Sequence, residues 1–444
     1  MPYQYRWKAG AGPNLRVRAV VVAVVACLGS TVVGLTAAPA AAAPVSDFYI
    51  PPATFDQAPG AIVKETPTPI FATAPTANGT LPVDGRLVMY TSRTQDGTPV
   101  AVSGTYIEPT HPWEGPGERP TVVIAPGTSG QGDHCAISAA FSSGLFADPS
   151  KLSISANQEA LSAGAWSAAG ARVFVTDYIG LGTPGIHTYA NRVEQAHAVL
   201  DAARAANNLS GSGDATPLLF WGYSQGGGAT AAAAEMLPTY APELNLKGTW
   251  AGGPTANLIE ILDTIDGALI GGAIGFAING FIDRNPEIRP LLAPRLTPEG
   301  RDLLATLSDS CIGDVIMKHP FLRTAPYTTD GRSLLAHLQE IPEVLSDLND
   351  QRIGTMTPPS PVLITSGRND DTVPYGQARR LAEDWCSLGA TVTFRTNELP
   401  PILPGTTLPN HFGPLLIDGY GTDTAVSFLY DRLADAPLSG CAID

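Results

Sequence analysis

The chain has 444 residues, of which 44% are hydrophobic and 15% are charged, and its formal net charge at pH 7 is −15. This balance is typical of a globular protein that buries a large core, and it excludes an intrinsically disordered chain. The acidic excess offers no basic surface, so nucleic acid is disfavoured as a partner.

The first part of the chain has the pattern of a secretory signal peptide. Basic residues lie within residues 1–18, residues 19–35 are mostly apolar, and residues 37–43 are rich in alanine. A basic region, an apolar region and small residues at the cleavage site define such a peptide. We predict a signal peptide over residues 1–42, cut near Ala42, and a mature chain without a transmembrane segment. Lipidation of Cys27 is the alternative, and either route places the protein in the extracellular space or the cell envelope.

Four cysteines follow the predicted signal peptide: Cys135, Cys311, Cys386 and Cys441. An even number of cysteines in an exported protein predicts two disulfides, and four cysteines allow three connectivities. Their spacing does not match a metal site, so we predict no metal.

Strand-like and helical segments alternate along much of the chain. A Pro-, Ala- and Thr-rich segment over residues 47–81 predicts an extended arm that precedes them. Strands are predicted at residues 86–92, 98–107, 121–125, 171–176, 217–221, 248–252, 361–366 and 392–396, and helices at residues 157–169, 189–206, 375–388 and 423–433. Such alternation predicts a mostly parallel sheet with helices on both faces.

Residues 257–340 depart from this alternation and read as helices and loops. We therefore divide the mature chain into a core over residues 43–256, a helical cap insertion over 257–344 and the rest of the core over 345–444. The insertion contains an uncharged, glycine-broken run from Gly267 to Ile282. Two interpretations stay open: a buried helix pair, or the wall of a cap that receives an acyl chain.

A nucleophile elbow is predicted where the strand that begins at Pro217 meets Gly222-Tyr223-Ser224-Gln225-Gly226. In this turn a strained serine is held clear of the sheet at the start of the next helix. Glycines are needed at Gly222 and Gly226, because a Cβ there would collide with the neighbouring strand and helix. The alternative is a glycine-rich turn with a solvent-exposed serine.

A serine nucleophile needs a histidine base and a carboxylate, which follow it in the chain order Ser, Asp or Glu, His in this architecture. Of the histidines after Ser224, His319 and His337 fall in the insertion, whereas His411 lies in a loop beyond the final strand. His411 is therefore the predicted base. Asp370 is the predicted acid, with its neighbour Asp371 as the alternative; Asp371 otherwise serves as a helix N-cap.

The oxyanion of a tetrahedral intermediate needs two backbone N–H donors. One is predicted from Gln225, the residue after the nucleophile. The other is predicted from Thr128 in the loop Pro126–Asp133, which follows an early strand. The alternative for this loop is a flexible surface turn.

Four segments carry a recognisable pattern: the elbow, Gly-Thr-Ser-Gly-Gln-Gly-Asp-His-Cys at 127–135, Asp-Tyr-Ile-Gly-Leu-Gly at 177–182 and Gly-Arg-Asn-Asp-Asp-Thr-Val-Pro at 367–374. Together they resemble the secretory lipase family of the α/β-hydrolase superfamily. The resemblance implies an α/β-hydrolase fold with a helical cap and carboxylic ester hydrolysis without metal or cofactor. It places the family's nucleophile, acid and base on Ser224, Asp370 and His411. It also implies the pairs Cys135–Cys311 and Cys386–Cys441. Fungal members carry an acidic residue where this chain has Thr128.

These observations predict a secreted serine ester hydrolase, a triacylglycerol lipase or carboxylesterase, that acts on a lipid or other acyl ester and makes transient contact with a lipid interface. One alternative is a short-chain, cell-wall or polyester esterase with the same catalytic residues. The other is a secreted lipid-binding protein without catalysis.

Overall fold

The computed structural model describes residues 46–70, 83–142, 144–148, 153–421 and 423–444. The predicted signal peptide, Cys27 and part of the predicted arm lie outside these residues. Within the described part of the chain, no helix has both the length and the apolar character that crossing a membrane needs.

A sheet of ten strands forms the centre of the molecule, and a separate pair, β5 and β6, forms a small hairpin. The strands are β1 (Ile62–Pro67), β2 (Val83–Arg93), β3 (Pro99–Pro109), β4 (Thr121–Ala125), β5 (Leu145–Asp148), β6 (Ser153–Ala156), β7 (Arg172–Thr176), β8 (Leu218–Tyr223), β9 (Leu246–Gly252), β10 (Val362–Gly367), β11 (Val392–Asn397) and β12 (Cys441–Ile443).

The large sheet has the order β1-β2-β3-β7-β4-β8-β9-β10-β11-β12. The pairings from β7 to β12 are parallel, whereas β1, β2 and β3 are added antiparallel at one edge. Strands β4 and β8 are neighbours at the centre, so the loops after them meet at the same carboxyl edge of the sheet. This is the predicted mostly parallel α/β architecture.

Helices cover both faces of this sheet. They are α1 (Ala160–Ala168), α2 (Arg192–Ser210), α3 (Gln225–Tyr240), α4 (Leu258–Ile265), α5 (Ala273–Arg284), α6 (Ile288–Leu292), α7 (Pro298–Leu307), α8 (Ile312–Lys318), α9 (Leu334–Gln339), α10 (Pro342–Asp350), α11 (Tyr375–Ser387), α12 (Gly413–Tyr420) and α13 (Ala425–Leu433). Helices α2 and α3 bury mostly alanine side chains against one face, which lets their backbones approach the strands closely, and α11 packs on the same face. On the other face α1, α12 and α13 pack larger side chains such as Trp166 and Phe428.

Helix α2 shows how the sequence sets the limits of these elements. The side chain of Asn191 accepts a hydrogen bond from the N–H of Glu194, which caps the start of the helix. Gly211 ends the helix at φ +65°, a left-handed conformation that glycine adopts without a Cβ penalty.

Helices α4 to α10 fill the interval between β9 and β10 and bury an apolar cluster of their own. The uncharged run from Gly267 to Ile282 forms turns and then most of α5. It therefore contributes a single helix, whereas one of our two interpretations was a buried helix pair. The large apolar side chains of α5 are buried against the other helices of the insertion. Helix α10 runs across residue 344, where we placed the end of the cap.

Two edge strands differ from the sequence interpretation. Strand β1 lies within the segment interpreted as an arm, and β12 follows the strand over residues 392–396 that we took as the last. Both are short edge strands whose pairing depends on a distant neighbour, so they carry little local signal.

Two disulfides occur among the described residues, and they are the pairs that the family resemblance implied. Cys135 is joined to Cys311 with a Cα–Cα distance of 5.4 Å, and Cys386 to Cys441 with 5.9 Å. The first links the loop region after β4 to the start of α8, and the second links α11 to β12.

Candidate active site

Ser224 lies at the sharp turn between β8 and α3. Its φ is +61° and its ψ −122°, a strained conformation for a residue with a Cβ. A Cβ on Gly222 would lie 2.1 Å from the carbonyl oxygen of Gly226, and one on Gly226 would lie 1.9 Å from that of Ala125. The two glycines therefore allow the helix to start directly beside the strands, in the geometry expected of an elbow.

His411 is brought to the serine by a single π-helical turn, Leu408–Phe412, that precedes α12. Its Nε2 lies 2.8 Å from Ser224 Oγ and its Nδ1 lies 2.8 Å from Asp370 Oδ2. A carboxylate accepts a hydrogen bond, so Nδ1 carries the proton and Nε2 is free to accept from the serine hydroxyl. The imidazole is buried, which limits competition from water.

Asp370 is held in place by the loop after β10. Its second carboxylate oxygen, Oδ1, accepts the backbone N–H groups of Thr372 and Val373, both at 2.9 Å. These bonds fix the carboxylate so that Oδ2 faces the imidazole. A carboxylate held in this way can orient the imidazole and keep its proton on Nδ1.

The neighbouring Asp371 faces a different part of the molecule. Its Oδ2 accepts the N–H of Gly405 at 2.7 Å and that of Thr407 at 3.3 Å, in the loop that leads to His411. The helix N-cap that we considered for Asp371 is Pro374, which precedes α11. Asp371 therefore anchors the loop that carries the histidine, and only Asp370 touches the ring.

The other two histidines after Ser224 lie in the insertion. His319 follows the last residue of α8, and His337 Nε2 lies 2.9 Å from Asp330 Oδ1. Neither contacts the serine in the described structure.

The backbone N–H groups of Gln225 and Thr128 are suited to an oxyanion. Gln225 is the first residue of α3, where N–H groups and the helix dipole favour negative charge. The N–H of Gly127 donates to Glu159 Oε1 at 3.1 Å, whereas no described residue accepts from the N–H of Thr128 or Gln225. Among the described residues, one backbone donor on the elbow and one on the loop Pro126–Asp133 are therefore without an acceptor.

The loop Pro126–Asp133 is well held rather than a flexible surface turn. Thr128 Oγ1 lies 2.8 Å from the hydroxyl of Tyr189, and its carbonyl accepts from Gln158 Nε2 at 3.2 Å. Ser129 and Gln131 are buried. Thr128 therefore contributes a hydroxyl with a fixed partner at this position.

Glu159 and His187 lie near the site, and no sequence pattern identified either of them. Burial raises the pKa of Glu159 from 4.5 to about 7, although hydrogen bonds from Gly127 and Ser162 oppose the shift. Burial lowers the pKa of His187 to about 4, so its imidazole is neutral. Its Nδ1–H donates to the carbonyl of Ile179 at 3.0 Å, and Nε2 accepts from the side chain of Gln225 at 3.1 Å.

One group of potential metal ligands occurs among the described residues: His134, Cys135 and Cys311. The two sulfurs are joined in a disulfide, so neither is a thiolate that could bind a metal. The chemistry that the site can perform rests on the serine, the imidazole and the carboxylate.

Comparisons with known proteins identify the family and the fold. A sequence model of the secretory lipase family matches residues 148–440, more than half of the chain. The chain is 31% identical over 211 residues to the secreted triacylglycerol lipase LIP1 of Malassezia furfur, an alignment that covers 47% of this chain and 43% of that protein. It is 30% identical over 203 residues to a Mycobacterium tuberculosis protein named "probable inactive lipase", with 45% of each covered. The chain thus spans less than half the length of these two relatives.

Among solved structures, that of Candida antarctica lipase A in its closed state is similar, with a TM-score of 0.73 at 20% identity. The superposition covers 91% of this chain and 90% of that one. At this level of identity the likeness shows the fold, which is the α/β-hydrolase fold.

Proposed function

The chain belongs to the secretory lipase family, and we propose that it is a secreted serine ester hydrolase that cleaves acyl esters of lipids. The observation that carries this proposal is the continuous contact from Asp370 through His411 to Ser224, with two distances of 2.8 Å. A serine hydroxyl is a weak nucleophile until a base removes its proton, and this arrangement supplies the base and fixes its tautomer.

The first half of the reaction forms an acyl-enzyme. Ser224 Oγ attacks the ester carbonyl carbon while its proton passes to His411 Nε2, and the carbonyl π electrons move onto oxygen. Asp370 accepts the Nδ1–H throughout and stabilises the imidazolium. The new oxyanion receives hydrogen bonds from the N–H groups of Thr128 and Gln225. When the intermediate collapses, the ester C–O bond breaks and His411 returns the proton to the leaving alcohol.

The second half restores the enzyme. Water takes the place of the alcohol, gives a proton to His411 Nε2 and attacks the acyl carbon. The oxyanion is stabilised as before, and collapse releases the carboxylic acid while Ser224 recovers its proton. No step needs a metal ion or an organic cofactor.

We further propose that the helical insertion over residues 258–350 is a cap on the substrate side of the core. It contributes an apolar interior between α5 and α7, where Ile274, Leu303 and Leu307 line a narrow cavity. That cavity has room for about one water molecule, so the proposal rests on the apolar interior of the insertion and not on an open acyl pocket.

Contact with a lipid interface is proposed from the segment that carries the histidine. Residues 399–417 contain no Asp, Glu, Lys or Arg. The segment nevertheless exposes large apolar side chains: Ile402, Leu403, Leu408, Leu416 and Ile417. We call these five side chains the apolar rim. An uncharged, exposed apolar surface beside a site for lipid esters is suited to bind a lipid surface transiently.

Hydrolysis of a series of p-nitrophenyl esters, from acetate to palmitate, tests the proposed activity with Ser224→Ala as the control. The proposal predicts turnover by the wild type, with a preference for the longer chains, and none above background by the variant. A preference for acetate would favour the short-chain esterase, and absence of turnover by a folded wild type would favour a lipid-binding protein without catalysis.

A further inference from the structure

The loop Pro126–Asp133, here called the oxyanion loop, lies between the elbow and the helical insertion. Its first residues lie against the elbow, since a Cβ on Gly226 would be 3.0 Å from the carbonyl oxygen of Pro126. Its later residues pair with the insertion. The carbonyl of Ser129 accepts the N–H of Ile312 at 2.8 Å, and the N–H of Gln131 donates to the carbonyl of Ser310 at 2.9 Å.

The side chain of Gln131 also contacts the insertion. Its Nε2 donates to the carbonyl of Phe276 in α5 at 2.8 Å and to that of His187 at 2.9 Å. Its Oε1 accepts from Asn279 Nδ2, also in α5, at 3.0 Å. Both N–H donors and the carbonyl oxygen are thus engaged, and the side chain is only 2% exposed.

The partners of Gln131 are themselves fixed. Asn279 Nδ2 also donates to the carbonyl of Leu304 in α7 at 2.9 Å, which joins two helices of the insertion at this point. Phe276 packs edge-on against Tyr189 with ring centroids 5.8 Å apart. The hydroxyl of Tyr189 in turn contacts Thr128 Oγ1. The insertion therefore holds the loop at Gln131 directly and at Thr128 through Tyr189.

His187 connects the same network to the other oxyanion donor. Its carbonyl accepts from Gln131, and its ring accepts from the side chain of Gln225. Hydrogen bonds, together with the ring contact between Phe276 and Tyr189, thus connect Gln131 to the residues that carry both backbone donors. A change at Gln131 would loosen their relative position without removing either N–H group.

We propose that Gln131 is a positioning residue for ester hydrolysis: it fixes the oxyanion loop to the helical insertion and so sets the position of the Thr128 N–H. This inference rests on the proposed function. Oxyanion donors act only when they are preorganised where charge develops, and small displacements lower the rate of the chemical step. The insertion is then part of the catalytic apparatus and not only a cover over it.

The test compares Gln131→Ala with Gln377→Ala. Gln377 is a matched control, because it is also 2% exposed and also makes three hydrogen bonds. They join it to the N–H groups of Ala256 and Asn257 and to the carbonyl of Pro254, at 2.8, 3.0 and 2.6 Å. Both variants lose buried amide contacts at an edge of the insertion, but only Gln131 belongs to the oxyanion loop.

For each protein, kcat and KM are measured on p-nitrophenyl butyrate. The affinity for an alkyl boronic acid is measured as well, because its serine adduct carries a tetrahedral oxyanion. We expect kcat to fall about 10- to 100-fold in Gln131→Ala and to stay within about threefold in Gln377→Ala, with KM little changed in both. Boronate affinity should fall in parallel with kcat. Equal kcat in the two variants, or a loss confined to KM, would overturn the inference.

A second pair of variants covers the case in which Gln131→Ala does not fold. Cys135→Ala with Cys311→Ala removes the disulfide beside the oxyanion loop, and Cys386→Ala with Cys441→Ala removes the one far from it. Both double variants should melt earlier, but only the first should lose kcat and boronate affinity. If the wild type itself neither turns over the ester nor binds the boronate, the proposed function fails; if it does both and the paired variants behave alike, only the role of Gln131 fails.

Discussion

The hydroxyl of Tyr223 donates a hydrogen bond to the backbone carbonyl of His411 at 2.6 Å. Tyr223 directly precedes the candidate nucleophile, and His411 is the candidate base, 187 residues further along the chain than Ser224. Their rings also lie close, with centroids 5.3 Å apart. The residue before the nucleophile thus helps to determine where the base lies, which couples the two halves of the site.

Replacement of Tyr223 by phenylalanine should show what the hydrogen bond to His411 contributes apart from the packing of the ring. The ring is retained, but the buried carbonyl of His411 loses its donor, which costs about 1–3 kcal/mol of unfolding free energy. We expect kcat to fall about 5- to 20-fold because the imidazole is less well placed. Tyr90→Phe is the control, since the Tyr90 hydroxyl also donates to a buried carbonyl, that of Ala198. Urea unfolding should show a loss in both, and kcat a loss in Tyr223→Phe alone; equal kcat values would contradict the coupling.

The two adjacent aspartates should give distinct kinetic results. Asp370→Asn removes the negative charge at His411 Nδ1 and permits the wrong tautomer, so kcat should fall about 10³- to 10⁴-fold. Asp371→Asn keeps an oxygen that can accept from the Gly405 loop, so the loss should be about 10-fold or less. Steady-state kinetics on a soluble ester measures both. A larger loss in Asp371→Asn would mean that the acid has been assigned to the wrong residue.

Glu159 should make stability depend on pH. Burial raises its pKa from 4.5 to about 7, so the folded state binds this proton more tightly than the unfolded state does. The resulting stabilisation is complete below pH 4.5 and is lost as the pH rises through about 7, on the order of 2–3 kcal/mol between pH 5 and 8. Glu159→Gln has no such proton to bind.

Urea unfolding of wild type and Glu159→Gln at pH 5 and pH 8 measures this contribution. The wild type should lose more unfolding free energy between the two pH values than the variant. Asp177 also has a pKa raised by burial, to about 6, but it is present in both proteins and cancels in the comparison. Identical pH dependence in the two proteins would show that Glu159 does not titrate in this range.

The apolar rim should matter for lipid surfaces more than for dissolved substrates. Leu403 and Leu408 are its most exposed members, at 68% and 57%. Leu403→Asn suits the positive φ of that residue, and Leu408→Ser completes a double variant. The ratio of activity on emulsified triolein to activity on p-nitrophenyl butyrate should fall about 10-fold, because less apolar surface enters the interface.

The control for the rim is Leu388→Ser with Leu438→Ser, two exposed leucines outside residues 399–417. This pair should leave the ratio unchanged. A similar fall in both double variants would indicate a general loss of surface hydrophobicity, and no fall in either would remove the rim from the proposal.

The sequence predicted those features that depend on local pattern and chain order. The elbow at Ser224 was predicted from glycine spacing after a buried strand, and His411 from its place in a loop beyond the final predicted strand. The α/β-hydrolase fold is confirmed, whereas the edge strand β1 needed knowledge of a partner distant in sequence. The hydrogen bond from Gln225 to His187 and that from Asn279 to Gln131 have no local signal, because each joins segments far apart in the chain.

The choice between Asp370 and Asp371 shows the same limit at the scale of a single loop. Chain order and composition do not distinguish the two carboxylates, because Asp370 and Asp371 are adjacent. The loop backbone distinguishes them by directing one at the imidazole and the other at Gly405. Only the folded loop carries that information.

The central claim, that Ser224 is an activated nucleophile, is tested most directly by intact mass spectrometry after incubation with a fluorophosphonate. The hydroxyl reacts only if His411 removes its proton and the oxyanion donors accept the developing charge. The account predicts one covalent adduct on the wild type and none on Ser224→Ala. A folded wild type without an adduct, or an equal adduct on the variant, would contradict it.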